Sequence, residues 1–104
     1  MRIIFHSSEN IQNTMRRCGY LFVREEKGEL AFVRPLGSSG SGYPRFHAYV
    51  NMEKFPRETL INLHLDQKKP IYRGATAHSG EYEGGLVEKE MARIKQIIGP
   101  MVQR

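Results

Sequence analysis

The chain is 104 residues long, with Lys and Arg at 16 against Asp and Glu at 11 and a formal net charge of +5. That length gives room for one compact domain over 1–104 and excludes a complete β/α barrel or a two-domain dinucleotide enzyme. A single cysteine, Cys18, excludes an intrachain disulfide and a thiolate metal cluster within one chain.

The lone thiol fits a reducing compartment, and the expected location is cytoplasmic. Met1-Arg2-Ile3-Ile4-Phe5 turns polar too soon for a secretory signal, and no apolar run reaches membrane-spanning length, so no membrane partner is expected. A domain of this size buries a modest share of its surface, which makes a homodimer a natural source of extra stability. The positive charge is dispersed: residues 1–60 carry nine basic and six acidic side chains, residues 61–104 seven and five. Such a surface attracts phosphate backbones weakly and also serves simple solubility.

Residues 2–6 read as a short edge strand. Ser7 or Ser8 offers a helix cap, and Ile11, Met15 and Cys18 fall at helical spacing, with Arg16 and Arg17 in the last turn and Gly19 as a left-handed stop. Tyr20 to Arg24 and Leu30 to Arg34 form a hairpin around the turn-forming stretch Glu25-Glu26-Lys27-Gly28-Glu29. Gly37 to Gly42 lacks bulky side chains and reads as a mobile Gly/Ser loop. Its glycines suit a phosphate cradle, but the Lys-Ser/Thr ending of a nucleotide loop is missing.

Arg45-Phe46-His47-Ala48-Tyr49-Val50 alternates polar and apolar, as does Ile61-Asn62-Leu63-His64-Leu65-Asp66. Each is a strand with one buried face. The connection Asn51 to Glu58 contains Pro56. Residues 67–85, with Pro70 and four glycines, read as a long loop, a feature that is often functional. From Leu86 the positions Leu86, Val87, Met91, Ile94 and Ile98 share one helix side, Glu90 falls toward solvent, and Gly99-Pro100 stops the helix. The expected fold is α+β: an antiparallel sheet of four or five strands with two helices packed on one face and a polar opposite face.

The chemistry belongs to that polar face. If the two alternating strands are neighbours, Arg45, His47 and Tyr49 lie beside Asn62, His64 and Asp66. Three roles compete for the histidines. In one, His47 and His64 are the general acid and base of phosphodiester cleavage, a task suited to a side chain that titrates near neutrality. In another, His47, His64, Asp66 and His78 bind zinc or another divalent ion, although spacings of 17 and 14 residues give no compact ligand pair. In the third, the imidazoles are ordinary half-exposed sheet residues. A secondary site, His78 with Glu81, lies in Ala77-His78-Ser79-Gly80-Glu81-Tyr82. It holds hydrolytic residue types but no nucleophile-elbow context, and loop-pegging hydrogen bonds explain it equally. Cys18 sits on an apolar stripe and reads as an inert thiol.

The helix ending in Met15-Arg16-Arg17-Cys18-Gly19-Tyr20, then the hairpin with Arg24 and Gly28 and a final helix, resembles the HicA-type mRNA interferase toxins. The resemblance covers residues 9–65 and the last helix, in order of elements rather than in letters. Gly19-Tyr20 stands where that family commonly has Gly-Phe. The resemblance implies a double-stranded-RNA-binding-like fold, two helices on a three-stranded sheet, and RNA cleavage by a histidine after Gly-Ser at the second strand. Here Glu29 and Leu30 follow Gly28, so that histidine is missing and His47 or His64 would have to act from a later strand.

The leading expectation is therefore a small nucleic-acid-binding protein, RNA ahead of DNA, with phosphodiester hydrolysis by His47 and His64. Arg34, Arg45 and Lys68 would meet phosphate and Tyr49 would stack on bases. No cofactor and no metal belong to it. The alternatives are a non-enzymatic interaction or homo-oligomeric assembly domain, and a small metal-assisted hydrolase or ligand-binding protein.

Overall fold

A computed structural model describes residues 1–6, 9–36, 42–67, 80–81 and 84–99. The elements are β1 (Arg2–Phe5), α1 (Ile11–Arg17), β2 (Leu21–Glu26), β3 (Glu29–Pro35), β4 (Arg45–Asn51), β5 (Thr59–Asp66), β6 (Gly80–Glu81) and α2 (Gly85–Ile98). The sheet is antiparallel in the order β1-β5-β4-β3-β2, and β6 pairs the end of β5. Both helices pack on one face. The expected α+β architecture is thus present, with five principal strands where the HicA-type resemblance implies three. The long 67–85 connection contains the short β6. Most of the 37–42 stretch lies outside the described residues, as do Ser7 and Ser8.

The apolar stripes explain this arrangement. Phe46, Ala48 and Val50 of β4 alternate inward beside Ile61, Leu63 and Leu65 of β5, joined by Ile3 and Phe5 of β1 and Phe32 of β3. Ile11, Met15 and Cys18 from the first helix and Val87, Met91, Ile94 and Ile98 from the second close the same core. Asn10 caps α1: its side chain accepts hydrogen bonds from the Gln12 and Asn13 backbone amides. Gly19 ends it with φ +91°.

The β2–β3 turn is tighter than the sequence suggested. Glu26 pairs with Glu29, and Lys27 and Gly28 both have positive φ, 53° and 80°. That is the pairing a two-residue hairpin turn requires, so Glu25 and Glu26 belong to the strand. β2 is an exposed edge carrying Leu21, Phe22 and Val23, interrupted by a register shift between Phe22 and Arg24. A bulge and the charges that follow it blunt such an edge against pairing with another chain.

Two expectations for α2 are overturned. Leu86 lies in its first turn and is exposed, whereas Glu90 is buried at 4% exposure. Glu90 is tolerated there because it is surrounded by donors. The Tyr20 hydroxyl donates to it at 2.6 Å, Arg93 through Nε and Nη2 at 2.9 and 2.8 Å, and Arg34 through Nη1 at 3.3 Å. Arg93 also donates to the Cys18 carbonyl. Burial, and next the Glu90 carboxylate, push the Tyr20 phenol well above its ordinary range. The network ties α2 to the end of α1 and to β3.

Candidate metal centre

The β4–β5 register places His47 directly opposite His64, Arg45 opposite Asp66 and Tyr49 opposite Asn62. Because residues two apart on a strand share a face, His64 and Asp66 project together from β5. Their cross-strand neighbour His47 projects beside them, away from the helices. His64 Nε2 lies 2.9 Å from Asp66 Oδ1, and His47 Nδ1 lies 3.3 Å from Asp66 Oδ2. The imidazole centroids are 5.0 Å apart.

The imidazoles are buried, each about 6% exposed, rather than half-exposed as the alternation alone suggests. Two neighbours account for this. Tyr49 stacks on His47 at 4.4 Å and on His64 at 5.6 Å between centroids. Val33 of β3, also buried, pairs with His47 from the other side. Burial is the largest influence on both rings and lowers both pKa values; for His47 the neighbouring His64 adds to it. Asp66 opposes the shift without cancelling it. The neutral imidazole, the form that keeps a lone pair for a metal, is the favoured one.

One donor atom from each of His47, His64 and Asp66 falls within 4.8 Å of the other two. Around zinc, with bonds near 2.0–2.1 Å, tetrahedral ligand atoms stand about 3.4 Å apart. The 2.9 and 3.3 Å contacts run to the two different oxygens of Asp66, and the three-donor set is somewhat wider than that spacing, within 4.8 Å. His47 Nε2 is buried and has no hydrogen-bond partner among the described residues. Such an atom is costly in a protein interior, but it is not the ring nitrogen that faces Asp66, so an ion held through Nδ1 leaves it unpartnered. Two imidazoles and a carboxylate are donors suited to zinc and to other divalent first-row metals.

The other residues singled out in the sequence have separate fates. Arg45 joins the cluster, its Nε 3.5 Å from Asp66 Oδ2 and its guanidinium carbon 4.5 Å above the Tyr43 ring. Tyr49 is half-buried and stacks on both imidazoles. Arg34 pairs with Phe46 in the sheet register, a helix-side position, and its guanidinium turns to Glu90. It therefore shares no face with Arg45. Glu81 lies in β6, where its backbone pairs with Leu65. Lys68 and His78 lie outside the described residues.

Asp66 is the residue that the leading sequence reading left without a role. Its signal was the two-residue step from His64, which sets an acid beside an imidazole on one strand face. No described helix is long and apolar enough to cross a membrane. Comparison with protein-family models, with curated proteins and with solved structures returns no significant match.

Proposed function

We propose that the chain binds a divalent transition-metal ion, zinc foremost, through His47, His64 and Asp66, and works as a small metal-assisted hydrolase or metal-dependent ligand-binding protein. The convergence of these three donors in a buried sheet-face cluster carries the reading. Three protein ligands leave a fourth tetrahedral position for water or a ligand, the pattern of catalytic rather than structural zinc sites. Water in that position would ionise near neutrality and supply a nucleophile. Tyr49 fixes both rings by stacking, and Arg45 holds one carboxylate oxygen of Asp66.

The nucleic-acid reading finds no specific support in the structure. Arg34 is committed to Glu90, and Tyr49 covers the histidines.

Calorimetric titration of the chelator-treated protein with zinc tests the proposal. One ion per chain is expected, with Asp66→Asn weakening binding by at least about tenfold. Binding that ignores this substitution contradicts it.

A further inference from the structure

Arg45 shares the cluster's face but cannot ligate a cation. It is held between the Tyr43 ring and Asp66, 27% exposed at the margin of the buried histidines. Among the described residues its guanidinium makes one hydrogen bond, a long one of 3.5 Å from Nε to Asp66 Oδ2. Its two terminal NH2 groups meet no acceptor among the described residues. Arginine presents such groups as a planar fork that matches the paired oxygens of phosphate and carboxylate.

Charge accounting points the same way. A divalent ion with neutral imidazoles and one Asp66 carboxylate carries a net single positive charge, and Arg45 raises this to two. Arg2, paired with Asn62 one row along the same face, is also basic. Among the described residues the other acids on or beside that face, Glu26, Glu29, Glu53 and Glu58, gather at its far end around Asn51 and Leu60. A neutral ligand would leave this excess uncompensated in a poorly solvated place, whereas an anion neutralises it.

We propose that the ligand completing the centre is an oxyanion, a phosphoryl or carboxylate group, held jointly by the bound metal and the Arg45 guanidinium. This rests on the metal reading above and assigns Arg45 as the residue that selects for anions.

The test uses the full chain loaded with cobalt(II), whose visible spectrum reports on its coordination. Inorganic phosphate, acetate and neutral imidazole are titrated separately into the wild type, Arg45→Gln and Arg45→Lys, with circular dichroism checking that each variant is folded. Phosphate or acetate should perturb the spectrum saturably, and the stronger of the two identifies the ligand chemistry. With the cobalt affinity of each variant measured and the site kept saturated, Arg45→Gln should weaken anion binding by about tenfold or more, the worth of one charge-assisted hydrogen bond. Arg45→Lys, which keeps the charge and loses the fork, should fall between. Cobalt binding with no anion response, with equal response in Arg45→Gln, or with imidazole preferred over both anions overturns this inference and leaves the metal site standing. Failure to bind cobalt at all removes both.

Discussion

Acidification should destabilise the metal-free protein through His47 and His64. Both folded-state pKa values lie below the ordinary histidine value because burial disfavours the charged ring. As pH falls below about 6.5, the unfolded chain takes up protons that the folded cluster still refuses. The unfolded state then binds more protons, so stability declines with falling pH and levels off only below the folded-state values. Each histidine contributes a slope of at most about 1.4 kcal/mol per pH unit, and two contribute at most about 2.7. Set against the 5–15 kcal/mol or so of a typical domain, this is readily measured. Urea unfolding followed by circular dichroism, with chelator present, from about pH 7.5 to about pH 5.5 gives the profile. The double variant His47→Gln/His64→Gln should have a flatter one. Stability that is constant or rises on acidification, or a double variant with the wild-type slope, refutes the reasoning.

The Glu90 network yields two further outcomes. Glu90→Ala removes the acceptor shared by Tyr20, Arg34 and Arg93 and should cost about 3 kcal/mol in urea unfolding. That is the low end for breaking a buried ion pair, because the two arginines are each about a third exposed and regain water. Tyr20→Phe removes one hydrogen bond to the same carboxylate and should cost less, about 1.5 kcal/mol; equal or reversed losses contradict the central place given to Glu90.

The alternating stretches at 45–50 and 61–66 made two strands and their polar faces legible, since period-two patterning is a local property. Pairing is not local. That His47 meets His64 was conditional on strand adjacency, and that Asp66 closes the cluster depended on a register no single strand encodes. Arg34 illustrates the same limit: its strand was evident, but its face follows from pairing with Phe46. Glu90 reads as solvated on helix periodicity, and its burial rests on Tyr20 and Arg34, far away in sequence, together with its helix neighbour Arg93. Conversely, Leu21, Phe22 and Val23 have the composition of a buried strand yet are exposed, because β2 is the sheet's edge. Asn10 supplanted Ser7 and Ser8 as the cap because the helix begins at Ile11.

The most direct measurement is an anomalous difference map from a zinc-soaked crystal, recorded at the zinc edge. A single strong peak bonded to His47, His64 and Asp66 at about 2.0–2.2 Å is expected. A map with no peak among these three side chains, or with zinc bound only elsewhere, contradicts the proposed centre.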